Sequence, residues 1–217
     1  MKVCIAGASG LIGSHLVQQL TQTKEVSEII TLTRSPLLDK NPKVKNQVVD
    51  FNTLPSITAD VFISCLGTTL KVAGSKAEFK KVDHDYVLNL GKIAENSGAK
   101  KFLVVSAIGA NAQSPVFYNR TKGEMERDIA LLKISEIAVF RPSLLLGDRK
   151  EKRGLETIAQ KATPLFNAVL LGPLKKYRAI SAQNVAQAMV QVALASHLGF
   201  SIYESDQIQS LSEIEAK

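Results

Sequence analysis

The chain lacks three things, and each lack excludes a class of protein. No stretch is apolar for long enough to cross a bilayer, and the N-terminus has no signal-peptide pattern. The 217 residues include only two cysteines, Cys4 and Cys65, both in apolar strand-like runs, so no disulfide framework is expected. There is no compact block of basic residues and no aromatic interleaving, although the formal net charge is +7. The lysines are dispersed (Lys71, Lys76, Lys80, Lys81, Lys100, Lys101, Lys175, Lys176), which reads as a solvated surface and not as a nucleic-acid face. Reduced thiols and the missing bilayer span predict a cytoplasmic protein with no membrane partner. The three histidines also lack a second ligand at metal spacing, so no metal site is expected.

The informative signal stands at the start of the chain. An apolar run, Lys2 to Ala6, leads into Gly7-Ala8-Ser9-Gly10-Leu11-Ile12-Gly13 and then an apolar-periodic segment. This order reads as strand, phosphate loop and helix. Gly7 permits the sharp turn off the strand. Gly10 lets a pyrophosphate approach the backbone, and Gly13 lets the helix pack closely on the sheet. The amides of Ser9, Leu11 and Ile12 open the helix, where partial positive charge favours phosphate.

Strand and helix signals then alternate. Strands are predicted at Lys2–Ala6, Glu28–Thr33, Val44–Val49, Val61–Leu66, Lys101–Ala107 and Glu136–Phe140, with a short edge strand at Phe200–Tyr203. Helices are predicted at Leu11–Thr21, Lys76–Ser97, Pro115–Leu132, Leu155–Lys161 and Ala182–Ser196, and the polar tail from Gln207 is expected to fray. Several strands are apolar at every position, as Phe102-Leu103-Val104-Val105 shows, which suits a parallel sheet covered on both faces. The expected architecture is α/β: a Rossmann-type doubly wound parallel sheet with helices on both faces. A single dinucleotide-binding domain is expected over residues 1–217, with a small C-terminal substrate-side region at 147–180.

A further absence directs the cofactor choice. NAD-preferring sites place an acidic residue about twenty positions past the glycine loop to hold the ribose hydroxyls. Here Thr33-Arg34-Ser35 occupies that place. A guanidinium flanked by hydroxyls suits a 2′-phosphate, so NADP(H) is expected over NAD(H). Asp50 and Phe51 close the third strand, beside the adenine in this architecture; Asp50 equally suits capping of the following turn. Cys65-Leu66-Gly67 follows the fourth strand, either flanking the nicotinamide ribose or forming a plain strand-to-helix turn.

Ser106 ends the fifth strand, and Tyr118 and Lys122 follow four residues apart, on one face of a helix. A phenol has an ordinary pKa of about 10, too high for acid–base work near neutrality unless a cation favours the phenolate. Lys122 can supply that cation and hold ribose hydroxyls. Ser106 is expected to hydrogen-bond the substrate oxygen. The predicted chemistry is hydride transfer between NADP(H) and a small carbonyl or alcohol substrate.

Three stretches make the chain similar to the short-chain dehydrogenase/reductase superfamily in its extended or atypical branch. They are Cys65-Leu66-Gly67-Thr68-Thr69, Val82-Asp83-His84-Asp85-Tyr86-Val87-Leu88, and Phe140-Arg141-Pro142-Ser143-Leu144-Leu145-Leu146-Gly147-Asp148-Arg149. Within that branch the chain resembles the Tat-interacting, metastasis-suppressor type of oxidoreductase and its bacterial relatives. The resemblance implies a Rossmann fold, NADPH along the glycine loop, and Ser106, Tyr118 and Lys122 in the superfamily's catalytic roles. It places Pro142 and Ser143 near the nicotinamide amide. Ser143 departs from the glycine common after the Arg-Pro pair. Only about seventy residues follow Gly147, which weighs against a nucleotide-sugar epimerase. The protein-interaction history of such relatives leaves a second role open, an NADPH-sensing interaction protein. Homo-oligomers and protein partners also stay open. Asp83, His84 and Asp85 are expected to mark a long helix, with His84 partly solvated. Arg149 to Arg153 is expected to be a solvated loop.

Overall fold

The computed structural model describes residues 1–37, 39–146, 170 and 172–214. The chain alternates strand and helix from its first residues: β1 Lys2–Ala6, α1 Leu11–Gln22, β2 Glu28–Thr33, β3 Val44–Val48, β4 Val61–Ser64, α2 Leu70–Ala73 and α3 Lys76–Lys80. A π-helical turn, Lys81–Asp85, leads into α4 Tyr86–Asn96, followed by β5 Lys101–Val105, α5 Phe117–Ile129, β6 Glu136–Arg141 and β7 Leu145–Leu146. A 3-10 turn at Gly172–Tyr177, β8 Ile180–Ser181, α6 Ala182–Leu194, β9 Gly199–Glu204 and α7 Ser205–Ser212 complete the described elements.

Among the described residues the main sheet runs β3-β2-β1-β4-β5-β6-β9, and every pairing in it is parallel. Strand order reverses between β1 and β4. Ligands bind outside the carboxyl ends of the strands at such a reversal.

The all-apolar strands work as their pattern demands. Side chains alternate across a strand, so neighbours enter different cores. Val3, Ile5, Ile63, Leu103 and Phe140 pack under α1 and α6. Cys4, Ala6, Phe62, Phe102 and Val139 pack under α4 and α5. Burying one such side chain contributes about 1.5–3 kcal/mol, so a polar residue anywhere in these runs disrupts one face or the other.

Four expectations are corrected. β4 ends at Ser64 and β5 at Val105, each two residues early, so Cys65, Leu66 and Ser106 lie in the loops that shape the crevice. The expected helix Lys76–Ser97 is divided by the π-helical turn at Lys81–Asp85. The predicted edge strand extends over Gly199–Glu204 and closes the main sheet beside β6. The tail does not fray at Gln207. A capping box between Glu204 and Gln207 starts α7, and Ile208 is buried in the α6 core. The helix predicted at Leu155–Lys161 and the Arg149–Arg153 run lie outside the described residues, as does most of the 147–180 region.

Candidate active site

The glycine loop closes on the β4 exit. Gly7 has φ +84°, and a Cβ there would stand 2.7 Å from the Cys65 carbonyl carbon and oxygen. A Cβ on Gly13 would stand 2.2 Å from the Gly7 oxygen, so α1 lies against the loop at a distance only glycine allows. Gly10 donates to the Gly7 oxygen at 3.0 Å and caps α1 from an extended conformation. The amides of Leu11, Ile12 and Gly13 follow in the first turn, where a helix has no partners of its own to offer. No acidic side chain stands in that turn. Ser9 and Gly10 are exposed beside it. This backbone cradle fits a dinucleotide's diphosphate on geometric grounds: small, open, rich in donors and free of competing carboxylates.

Arg34 and Ser35 are exposed at the turn after β2, while Thr33 is buried. Thr33 is turned inward: its Oγ1 accepts from Asn46 Nδ2 at 2.8 Å. The same amide nitrogen donates to the Thr31 oxygen and hydroxyl, and Asn46 Oδ1 accepts the Leu37 amide at 2.9 Å. Asn46 thus sets the shape of the Arg34 loop, a role invisible in a strand residue read alone. Expected contact of Thr33 with a 2′-phosphate is corrected; Arg34 and Ser35 remain facing out.

Asp50 accepts from the Asn52 backbone and side chain at 2.9 and 2.7 Å. These bonds hold its carboxyl below the usual range. The turn-capping role is therefore filled by Asp50. Phe51 is buried, its ring 5.6 Å from Tyr86. Cys65 is only partly enclosed as a residue, yet burial pushes its thiol up to about 12, and that of Cys4 likewise, so neither is a thiolate near neutrality.

The centre of the site is a buried ion pair. Lys122, 3% exposed, places Nζ 2.8 Å from Oδ1 of Asp83, itself 1% exposed. Asp83 Oδ2 accepts the Thr68 amide at 2.8 Å. Burial pushes the Lys122 ammonium down, but Asp83, then Tyr118 and Glu126, outweigh it, and its pKa lies above the ordinary 10.5. Gly67 sits directly on the pair: a Cβ there would be 3.5 Å from Asp83 Oδ1 and 4.0 Å from Lys122 Nζ. One carboxylate therefore joins α5 to the loop after β4. The π-helical turn puts it there, as such turns commonly do at functional sites. Asp83 was expected only to mark a helix. The available signal was a carboxylate within an apolar-periodic segment. His84 is also buried, not solvated: its ring nitrogens meet Asp85 at 2.7 Å and Asp128 at 2.9 Å, tying the π turn to α5.

Tyr118 lies one turn before Lys122 on α5, partly exposed, its ring 5.6 Å from buried Phe79. Ser106 does not face the crevice as a donor. Its hydroxyl donates to Glu126 Oε1 at 2.5 Å, and both groups are buried. Arg141 grips the same carboxylate at 3.0 and 2.5 Å and reaches Glu204 at 3.0 Å. A hydroxyl has one hydrogen, and Glu126 takes it, so the expected donation from Ser106 to a substrate oxygen is corrected. Ser106→Ala is expected to lower unfolding stability by about 1.5–3 kcal/mol, the worth of a hydrogen bond to a charged group, with NADPH affinity unchanged; urea denaturation and a binding isotherm check this.

Pro142 is buried and its oxygen accepts the Ile108 amide at 3.1 Å. Ser143 hydrogen-bonds the Arg178 carbonyl and meets the Ser205 hydroxyl at 3.1 Å. Its side chain holds the 3-10 turn against the end of β6, a different task from crowding the nicotinamide.

A family model described as HIM1 matches residues 15–175. The chain belongs to the HIM1 family. Among curated relatives of this HIM1 protein, "Protein FMP52, mitochondrial" of Candida albicans is 37% identical over 175 residues, covering 74% of each chain. "Protein HTATIP2" of Rattus norvegicus is 36% identical over 167 residues, 73% of this chain and 69% of that one. Solved structures place the HIM1 chain in the fold of extended short-chain dehydrogenases and epimerases. MoeE5 in complex with UDP-glucose and NAD superposes with a TM-score of 0.72 at 16% identity, covering 98% of this chain and 81% of that one. Human epimerase family protein SDR39U1 with NADPH gives 0.63 at 17% identity, covering 93% and 72%. The cytoplasmic expectation is overturned, because the relatives from Candida albicans, Meyerozyma guilliermondii and Emericella nidulans are named as mitochondrial. Reduced cysteines do not separate two reducing compartments.

Proposed function

We propose that this HIM1 protein is an NADP(H)-dependent oxidoreductase acting on a small carbonyl or alcohol. The observation that carries the proposal is the Lys122–Asp83 pair, buried one helical turn beyond Tyr118. When bound, the nicotinamide supplies or accepts the hydride. In the reductive direction the Tyr118 hydroxyl gives its proton to the substrate oxygen. The Lys122 ammonium stabilises the phenolate that remains. Asp83 keeps that ammonium charged and in place. Gly7, Gly10, Gly13 and the amides of Leu11 and Ile12 hold the diphosphate, and Leu66, Gly67 and Pro142 border the nicotinamide end. Ser106 acts at one remove, by fixing Glu126 on the helix that carries Tyr118 and Lys122. The proposed setting is mitochondrial, after the names of the fungal relatives. Consumption of NADPH with a panel of aldehydes and ketones tests the activity; absence of turnover across the panel overturns it.

Arg34 is assigned to the 2′-phosphate. A thermal-shift titration is expected to give a larger stabilisation for NADPH than for NADH, and Arg34→Ala to remove the difference. Loss of one charge-assisted contact corresponds to about 1.5–3 kcal/mol, or roughly ten- to a hundredfold in Kd. Equal shifts for both cofactors in the unaltered protein would sink the preference.

A further inference from the structure

We propose that the outer edge of β9 is an interface, and that its occupant is the β9 edge of a second copy of this chain, paired antiparallel about a twofold axis at Ser201. The two edges of the sheet differ. An edge strand offers unpaired amides and carbonyls, and proteins that stay apart blunt it with lysine, proline or other features that block pairing. β3, at one edge, is treated in this way: Pro42 precedes it, and Lys45, Asn46 and Gln47 fill its centre. β9, at the other, runs Gly199-Phe200-Ser201-Ile202-Tyr203-Glu204. It has no lysine and no proline, and its one charged residue stands at the last position, bonded to Arg141. Among the described residues no strand pairs with its outer side.

Backbone geometry fixes which groups are left over. The Gly199 amide donates to the Ser135 oxygen at 2.9 Å, toward β6. In a parallel ladder alternate residues face the same neighbour, so Ser201 and Tyr203 also turn their main-chain groups to β6. Phe200 and Ile202 turn theirs outward. The same two residues carry the apolar side chains, 41% and 37% exposed. They stand opposite Ile137 and Val139, on the α5 side of the sheet. There they line a groove of about 360 Å³ with Ala130 and Arg127 of α5.

Two copies of this edge fit each other in one register. With the axis at Ser201, Phe200 of each copy lies directly opposite Ile202 of the other. These are the residues whose amides and carbonyls point outward, so each pair exchanges both hydrogen bonds of an antiparallel ladder. Opposite residues share a face, so an aromatic ring meets a branched side chain, a favourable cross-strand pair. A shift of one residue sets Phe200 against Ser201 or Tyr203, whose groups β6 already holds. A shift of two toward Glu204 meets an amide already bonded to Gln207 at 2.9 Å. A shift of two the other way leaves the strand for Leu198. Charge follows the same antiparallel sense. Exposed Arg127 lines the groove beside Phe200, and exposed Lys133 lies two residues before Ser135, at the amino end of β9. Glu204 and Asp206 stand at its carboxyl end. Antiparallel pairing brings the acidic end of each copy to the basic end of the other.

Sedimentation equilibrium of the full chain tests the pairing. A reversible dimer is expected, with a Kd on the order of micromolar for so short a ladder. Ile202→Lys is expected to be monomeric at the same concentrations. Its backbone bonds to β6 are untouched, so its circular dichroism and its melting temperature at low concentration should match those of the unaltered protein. Ser201→Cys reads the register. Its two copies meet on the axis with Cα atoms about 4.5 Å apart, within reach of a disulfide. Oxidation with diamide should therefore link this variant far more than the unaltered protein. Ser196→Cys, exposed and well off the axis, should link no better than the unaltered protein. A chain that stays monomeric to about 100 μM, a dimer that Ile202→Lys leaves intact, or a dimer in which Ser201→Cys links no better than Ser196→Cys would each overturn the proposal. A monomer that instead binds an extended apolar peptide, and loses that binding in Ile202→Lys, would give the edge to another protein and overturn the pairing of copies. None of these outcomes bears on Tyr118 or Lys122.

Discussion

Tyr118→Phe is expected to lower NADPH-dependent carbonyl reduction by about 10²- to 10⁴-fold, the usual contribution of a positioned proton donor. The substitution removes one oxygen and leaves the ring. Packing on Phe79 at 5.6 Å is therefore retained, and the fold with it. The diphosphate cradle lies on β1 and α1, remote in sequence from α5, so the NADPH-induced thermal shift should be unchanged. The two readouts separate chemistry from binding. A variant as active as the unaltered protein would remove Tyr118 from the reaction, and one that also lost NADPH would mean the phenol serves binding instead.

Asp83→Asn is the second large effect, and it acts on stability and pH dependence together. Removing one partner of a buried ion pair typically costs about 3–5 kcal/mol, because the other charge is left without compensation. Both partners are almost fully enclosed, so little solvent screening softens the loss. The sign with pH follows from Lys122. In the intact protein its pKa is raised above the ordinary 10.5, chiefly by Asp83 once burial has been offset. A raised lysine contributes stability that is fully present below the unfolded value and lost only as pH rises through the folded one. In Asp83→Asn the downward push of burial loses its main opponent, so the protonated lysine becomes a burden below pH 10.5. The gap in melting temperature between the two proteins should therefore be widest near neutrality and narrow as pH climbs toward 10.5. A gap constant across that range would show that the carboxylate serves only as an acceptor for the Thr68 amide. The pH profile of turnover is a second readout, and a purely structural Asp83 would leave it unmoved.

How much of the site could be read in advance differs residue by residue. Gly7, Gly10 and Gly13 are legible because a phosphate loop imposes local rules, and the 2.2 Å approach at Gly13 is the close packing their spacing implies. Tyr118 and Lys122 share a helix face by periodicity alone. The partner of Lys122 was not legible. Asp83 stands 39 positions earlier by its numbering, and only the π-helical turn and the docking of α4 on α5 bring it to 2.8 Å. Ser106 shows the converse failure. Its place at a strand exit suggested a donor facing the crevice, but a hydroxyl's direction is set by the strongest acceptor in reach, and Glu126, twenty residues away, is that acceptor. Asn46 was missed for the same reason, since its bonds run across strands to Thr31 and Thr33 and on to the Leu37 amide.

Local chemistry was enough for the strand–loop–helix cradle, the doubly wound parallel sheet and the Tyr118–Lys122 face, because period and glycine placement act over a few residues. Tertiary packing alone decided which polar groups pair in the interior: Lys122 with Asp83, Ser106 with Glu126 and Arg141, Ser143 with the Arg178 carbonyl. A buried polar group must be satisfied by whatever the fold brings within about 3 Å, and no neighbour in sequence announces what that will be.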